Sequence, residues 1–524
     1  MTATDSSRYV LPILVAIVTA IYLYIPPYNA WEPNVVPDEV EYAAAAHTLA
    51  TTGTYTISIN GRAYPPRYPP GFSALVLAPI YWLAPGDVGN GVWAVLAFAV
   101  IAAVAAFFLG RRLGGDWGGV LAAIMLVHYK DFAQHSRLIM TDVPVAAIGL
   151  LCALLYLRMR RVDPLWTYAL AACLAGFASA LRPLAVFLVL PFALLAISRP
   201  RRRVGFMAVL LLPIIAVSAG NTLYDFHAFG AWSSTGYHFW RSIPYDYPSL
   251  VFSPWFLTQN LMVLWTFKGA AMILALAFVG WLSLKKQPPD DLRHYLRYAL
   301  LAAGPISFIH LWYAWTTVRF HFVGLALLVV LAAAGIARWI PQSVQRQKWL
   351  LVAALAVSPV FPPRMRIPLP VRRQLGEQIA RLTPADAVIV SAIPAPFLET
   401  LISQPGNHRL IVPPDRQWKD DVYANMIINT ANARVDPLAA SDANGRAALI
   451  AQGASYVHPF TADEGMDQLS AWAAAGRPLF VDFLTTNRDG SVGQDLGRRF
   501  RLAPVNGSAE LFQLFPPAPA ASAH

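Results

Sequence analysis

Two adjacent carboxylates, Asp38 and Glu39, follow the first apolar stretch of the chain, Tyr9 to Ile25, across a short loop rich in aromatic residues and proline. The text there reads Val-Pro-Asp38-Glu39-Val-Glu41-Tyr42, then an alanine-rich run, then Tyr64-Pro-Pro-Arg67-Tyr68-Pro-Pro-Gly71. Charge this close to a bilayer is costly and is kept where it has a partner or a task. Paired acids followed by a basic and aromatic cluster would suit a site where a hydroxyl loses its proton to a carboxylate beside a bound phosphate.

The elements that must position these residues are membrane segments. The chain has 524 residues, 56% hydrophobic and only 13% charged, against roughly 25% charged in soluble domains. Its net charge of +11 would suggest nucleic acid in a soluble protein. Here the basic residues cluster in short loops, which is an orientation signal, so no nucleic-acid partner is expected. Cys152 and Cys173 lie in apolar segments and form no disulfide framework or metal motif. The bias toward arginine and alanine over lysine points to a GC-rich bacterium, hence to its plasma membrane. The first apolar segment lacks a small-residue cleavage site and reads as a retained helix.

Candidate spans are 9–27, 91–109, 116–129, 143–158, 165–181, 183–198, 204–220, 258–283, 298–314, 320–337 and 349–361. The apolar stretch 72–84 is short and ends at Pro85-Gly86-Asp87, so it reads as a juxtamembrane or re-entrant helix. With it excluded, Arg111-Arg112, Arg158/Arg160/Arg161, Arg199 with Arg201 to Arg203, Lys285-Lys286 with Arg293 and Arg297, and Arg338/Arg346/Lys348 fall on one side, the cytoplasmic one. The expected fold class is a polytopic α-helical membrane protein of about 11 spans, with the N-terminus inside and a C-terminal extracytoplasmic α/β domain. Residues 1–362 form the membrane part, with a first outward loop at 28–90. Residues 363–515 form the α/β domain. Its strands are expected at 387–391, 409–412, 454–457 and 479–483, and its helices at 371–382, 443–452 and 463–475. Residues 516–524 read as a disordered tail.

This topology gathers polar residues on the outward face: the first loop, then Lys130, Asp131, His135, Arg137 and Asp142, then Arg182, the loop 221–257, Lys268, and His310 with Arg319 and His321. Positive charge there opposes the orientation rule, and holding an anion such as phosphate is its natural use.

At these residues the chain resembles a family. Asp38-Glu39-x2-Tyr42 with its alanine-rich helix, Gly53 and Tyr-Pro-Pro-Gly71 is similar to the first periplasmic loop of GT-C membrane glycosyltransferases, in the protein O-mannosyltransferase and aminoarabinose transferase group. Arg111-Arg112-Leu-Gly-Gly115 resembles that group's first cytoplasmic turn. Ser136-Arg137-x3-Thr141-Asp142-Val-Pro144 resembles its second acidic motif, Gly176-x5-Arg182-Pro183 a later turn, and Arg319-Phe320 stands where an Arg-Tyr pair is frequent. The resemblance covers residues 9–362 and implies sugar transfer from a polyprenyl-phosphate donor to an acceptor glycan, lipid or protein. It implies Asp38 as general base, with Glu39 and Asp142 as further catalytic candidates. Tyr64, Arg67, Arg182 and Arg319 would bind the donor phosphate, and Tyr42, Tyr68, Arg137 and His135 would touch acceptor or sugar. No loop has metal-ligand spacing, so no cofactor is assigned, although a divalent metal at Asp142 stays open.

Plainer roles compete with these. Asp38 and Asp142 could only cap helices, and Arg67 and Arg182 could only reach toward lipid headgroups. A lipid-linked-sugar transporter or flippase would also suit the number of spans, but no internal repeat or matched pair of broken helices supports it. A non-catalytic sugar- or lipid-binding membrane protein is the third class. The topology has a direct test. With Cys152 and Cys173 replaced by alanine, Arg201→Cys is expected to escape a membrane-impermeant thiol reagent in intact cells, and Gln374→Cys to react once that reagent reaches the outer face of the plasma membrane; labelling at position 201 would reverse the orientation.

Overall fold

The computed structural model describes residues 3–24, 37–59, 62–86, 88–159, 165–198, 203–232, 235–237, 251–266, 268–313, 316–339, 371–391, 393, 395–402, 408–412, 462–487 and 491–517. The expected span at 349–361, the strand at 454–457 and the helix at 443–452 lie outside them.

The first helices are α1 (Ala3–Tyr24) and α2 (Pro37–Thr52), followed by a hairpin of β1 (Ile57–Ile59) and β2 (Arg62–Tyr64). A π-helical turn, Ser73–Leu77, then runs into α3 (Ala78–Leu83). One face of this stretch is buried through Val76, Leu77 and Tyr81, while Leu75, Trp82 and Leu83 are exposed. That two-faced surface suits a helix lying along a membrane.

Helix α4 (Val92–His128) is assigned as one run but reverses at Gly115, whose φ of 74° and ψ of −172° are not helical. A Cβ on Gly110 would sit 2.3 Å from the carbonyl oxygen of Gly118. Residues eight apart in a straight helix are separated by about 12 Å, so the two limbs fold back on each other. They correspond to the expected spans 91–109 and 116–129. Arg111 and Asp116 pair across the turn at 2.6 Å.

Next come α5 (Lys130–His135), α6 (Asp142–Met159), α7 (Leu165–Leu181), α8 (Leu190–Ile197) and α9 (Arg203–Phe229). Helix α9 continues nine residues past the expected end of its span, so the loop expected at 221–257 begins as helix. Over the span expected at 258–283 the described residues form the helices Pro254–Thr266 and Lys268–Lys286, and residue 267 lies outside the described residues. Helices Leu292–Leu311 and Phe322–Trp339 follow, with a 3-10 turn at Val318–His321 between them.

Among the described residues, five helical stretches are long and apolar enough to cross a membrane: Val88–His128, Asp142–Met159, Val204–Phe229, Gly269–Lys286 and Val318–Trp339. Val10–Leu23, Leu165–Leu181 and Pro183–Ile197 are shorter apolar helices. Their outer faces carry bare hydrocarbon, including Ile13, Ile17 and Ile21 on α1 and Leu212 and Ile215 on α9, a surface a soluble monomer rarely shows. Inside, small residues let backbones meet. A Cβ on Gly335 would lie 2.2 Å from the Cα of Gly280, and one on Gly114 would lie 2.7 Å from the Cα of Ala334. Close approach of this kind gives membrane helices the van der Waals contact that holds them together.

The C-terminal part contains a five-stranded sheet in the order β4-β3-β5-β7-β6, from β3 (Val388–Val390), β4 (Leu410–Val412), β5 (Leu479–Asp482), β6 (Arg501–Pro504) and β7 (Leu511–Phe515). β3 is parallel to β4 and β5, and β7 is antiparallel to β5 and β6. β3 and β5 are buried along their whole length, as strands covered on both faces must be. Helices Val371–Leu382 and Ala462–Ala474 match the sequence expectation, whereas β6 and β7 were not foreseen. Helix Ala395–Ile402 packs on α2 and β1, and the Ser58 hydroxyl donates to Glu399 Oε2 at 2.6 Å.

Candidate active site

Helix α2 begins with Pro37, Asp38 and Glu39 in its first turn. Proline needs no N–H there, and acids are favoured by the helix dipole. Asp38, Glu41 and Tyr42 share one helix face by their spacing of three and four. Asp38 does not spend its carboxylate on a cap. Its Oδ1 accepts from Arg67 Nη2 at 2.7 Å and its Oδ2 from Arg319 Nη2 at 2.9 Å. One turn further on, Glu41 holds Arg67 twice. Its Oε1 accepts the Arg67 backbone N–H, and its Oε2 lies 3.2 Å from Arg67 Nη2.

The segment carrying Arg67 has no regular structure, so its position comes from neighbours. Tyr55 donates its hydroxyl to the Tyr68 carbonyl at 3.1 Å, and Tyr224 to the Pro66 carbonyl at 3.3 Å. A Cβ on Gly236 would lie 2.2 Å from the Arg67 oxygen, and one on Gly71 would lie 1.9 Å from the oxygen of Ala180. The glycine of Tyr-Pro-Pro-Gly71 therefore docks the Arg67 segment on the end of α7, two residues before Arg182.

The far side is built from the start of α6 and the two turns. Val145 donates its backbone N–H to Thr141 O, so Asp142 is inside the first turn of α6 and its side chain is available. Arg182 Nη1 reaches Asp142 Oδ1 at 2.5 Å, and Arg319 Nη1 is 4.0 Å from Asp142 Oδ2. The result is a row alternating in sign: Glu41, Arg67, Asp38, Arg319, Asp142, Arg182. Glu41, Arg67 and Asp142 are 1%, 6% and 3% exposed, while Asp38, Arg319 and Arg182 are 18%, 18% and 19% exposed. The last three form the accessible edge. Burial would push the Asp38 carboxyl up, but the Arg67 and Arg319 guanidiniums outweigh it and hold the group below its ordinary 3.8. Asp38 is thus ionised at neutral pH.

Aromatic faces line the row. Arg67 lies over Tyr68 at 4.6 Å and Tyr237 at 5.6 Å, and Arg182 and Arg319 lie 4.4 and 5.1 Å from the Phe320 ring centre. Tyr42 stacks on Tyr68 at 4.4 Å, and the Tyr68 hydroxyl accepts from Arg67 Nη2 at 2.9 Å.

Other sequence candidates sit around this row. Glu39 is 1% exposed, and its Oε1 accepts the backbone N–H of Ile139 at 2.8 Å. It braces the segment leading to Asp142 and is turned away from the accessible edge. Arg137 is buried and donates to the Tyr22 carbonyl at 3.4 Å. His135 Nδ1 lies 2.7 Å from the Asp131 carbonyl, which can only accept, so Nδ1 carries the proton when the ring is neutral. Burial lowers its pKa below the ordinary 6.5, helped by Arg319 and opposed by Asp142. Tyr64 is half-buried against the core on β2, three residues before Arg67. Glu41 and Phe320 were given no role from sequence. The helical spacing from Asp38 and the adjacency to Arg319 are the signals that could have found them. Among the described residues, no three His, Cys, Asp or Glu side chains converge. Because Asp142 faces guanidiniums, the donors there do not fit a divalent metal.

No protein-family model and no curated protein matches the chain. Solved structures are similar to it. ArnT from Cupriavidus metallidurans bound to undecaprenyl phosphate matches with a TM-score of 0.56 at 14% identity, over 97% of this chain and 98% of that one. The archaeal oligosaccharyltransferase AglB from Archaeoglobus fulgidus, in complex with an inhibitory peptide and a dolichol-phosphate, matches with a TM-score of 0.51 at 12% identity, over 99% of this chain and 76% of that one. The chain has the GT-C glycosyltransferase fold. It is the fold that the order of the sequence motifs implied.

Gly71 tests how the site is assembled. Gly71→Ala sets a Cβ against a backbone carbonyl that no rotamer change can move, and overpacking of this kind costs about 1–3 kcal/mol. A lowered thermal midpoint in detergent is expected. Gly86→Ala, where a Cβ would meet open space, should leave the midpoint unchanged.

Proposed function

We propose that this protein is a membrane glycosyltransferase that moves a sugar from a polyprenyl-phosphate carrier to an acceptor hydroxyl at the outer face of a bacterial plasma membrane. The observation that carries the reading is Asp38, an ionised carboxylate held between Arg67 and Arg319 at the accessible edge of the charged row. A solved structure with this fold holds undecaprenyl phosphate, and that supports the donor class.

In this reading Asp38 takes the proton of the acceptor hydroxyl as its oxygen attacks the anomeric carbon. The bond from that carbon to the phosphate oxygen breaks, and the polyprenyl phosphate leaves with the electron pair. The leaving group needs positive charge more than it needs an acid, and Arg67, Arg319 and Arg182 supply it in a dry setting. Asp142 orients Arg182 and Arg319, while Glu39 braces the segment before Asp142. Tyr64 accompanies Arg67 at the phosphate, and Tyr42 and Tyr68 wall the sugar. Arg137 and His135 stand on the acceptor side, where a neutral His135 offers Nε2 as an acceptor. The C-terminal sheet lies outside the cytoplasm and helps select the acceptor, which is a glycan, lipid or protein.

Asp38→Asn keeps the side chain's size and removes its basicity. It is expected to keep the fold and to lose about 10²–10⁴-fold in turnover, the usual contribution of general-base catalysis. The assay is transfer from a panel of polyprenyl-phosphate sugars to membrane-extracted acceptors by the purified protein. Turnover near that of the unmodified protein would move the base elsewhere, with Asp142 the next candidate.

A further inference from the structure

The charged row has no spare positive charge. Among the described residues it holds three arginines, Arg67, Arg182 and Arg319, and three carboxylates, Asp38, Glu41 and Asp142. Both oxygens of Asp38 are already engaged by guanidiniums, at 2.7 and 2.9 Å. A carboxylate bonded in this way is a poor proton acceptor, and arginines bonded in this way are poor phosphate ligands. An anion entering the row must compete with a carboxylate that is already in place.

The carboxylates are not equally able to give way. Glu41 is 1% exposed and is fixed at both oxygens to Arg67, once through the backbone N–H and once through the guanidinium. Asp142 is 3% exposed and locked on Arg182. Asp38 is 18% exposed, is held by the two guanidiniums through side-chain contacts alone, and lies at the open edge toward which it can swing.

Building on the proposed transfer reaction, we propose that the donor binds by ion-pair exchange. The phosphate replaces Asp38 on Arg67 and Arg319, Glu41 keeps Arg67 seated during the exchange, and the released Asp38 turns to the acceptor hydroxyl. The base is thus inactive until the donor is in place, which guards against proton abstraction from water or acceptor with no sugar to receive the oxygen. Glu41 is a positioning residue, acting only through Arg67.

The exchange makes a prediction opposite to that of an ordinary binding residue. With a polyprenyl monophosphate in detergent micelles as the probe, Asp38→Asn should bind more tightly than the unmodified protein by about tenfold, the equivalent of one charge-assisted contact removed from the competition. Glu41→Gln should bind more weakly by a similar factor, although it removes the same charge, and general loosening of the fold would weaken both. Equal or weaker binding by Asp38→Asn would overturn the exchange, and unchanged binding by Glu41→Gln would overturn its seating role. These are affinities. They stand apart from the turnover that tests Asp38 as base, so either idea can fail alone. A second measurement uses the unmodified protein and so does not depend on a variant folding. Modification of Asp38 by a hydrophobic carbodiimide, read by peptide mass spectrometry, should rise when the probe is added, because the carboxyl is released from its guanidiniums. Unchanged or reduced modification would overturn the proposal.

Discussion

The candidate site of this molecule is arranged around the alternating row from Glu41 to Arg182. Six charges lie together at helix ends and in the segment after the β-hairpin, and charges taken from water cost several kcal/mol each unless they are closely paired. The pairing explains why such distant stretches of chain meet. Asp38 and Glu41 come from α2, Arg67 from the segment after the β-hairpin, Asp142 from α6, Arg182 from the turn after α7, and Arg319 from the 3-10 turn before the helix Phe322–Trp339. Removing one member would leave its neighbours buried and unmatched. That penalty is larger than the net worth of any single pair.

A row of this kind also requires backbones to come unusually close. The Arg67 segment rests on Ala180 because Gly71 has no Cβ, and Gly236 crosses the Arg67 carbonyl for the same reason. The reversal at Gly115 brings the two limbs of α4 together at Gly110 and Gly118, and the helix Phe322–Trp339 packs on this hairpin. Arg319 enters at the head of that helix. Small residues in the membrane thus set the reach of the arginines above it, since a guanidinium corrects a misplacement by only as much as its side-chain torsions permit.

Much of the site was legible in the chain. Asp38-Glu39, Tyr64-Pro-Pro-Arg67, Thr141-Asp142-Val-Pro144, Arg182-Pro183 and Arg319 could each be picked out, because charge is rare in such text and each instance stands out. The pairing was not legible. Asp38 and Arg319 are 281 positions apart and contact at 2.9 Å, a relation that local periodicity cannot carry. Glu39 drew attention as one of two adjacent acids, yet a step of about 100° around the helix turns it from the row to the backbone of Ile139. Glu41, one turn on from Asp38, lies where helical spacing puts a partner. The fold followed the same pattern. Long apolar helices and the fully buried strands β3 and β5 were readable, whereas β6 is a short strand of mixed character and β7, though apolar at four of its five residues, was missed.

Helix α2 links the row to the C-terminal sheet. Val40, Glu41 and Ala43 to Ala46 are all buried, so the helix has no solvent face along this stretch and is held on several sides. α3 packs on one side and the helix Ala395–Ile402 on another, while the Ser58 to Glu399 hydrogen bond ties the β-hairpin to the same sheet-side helix. The hydrophobic core is continuous across the junction, running from Ala43 and Ala46 to Phe397, Leu398 and Ile411. The alanines make this possible, because a bulkier side chain at these positions would push the sheet-side helix outward and carry the first turn of α2 with it. Asp38 sits in that turn, with both oxygens engaged at 2.7 and 2.9 Å. Hydrogen bonds between charged groups weaken steeply with distance and angle, so a shift of about 1 Å in α2 would be enough to unbalance the two arginines that share Asp38. The seating of the sheet on α2 is therefore part of what sets the charge state and direction of the carboxylate at the centre of the row.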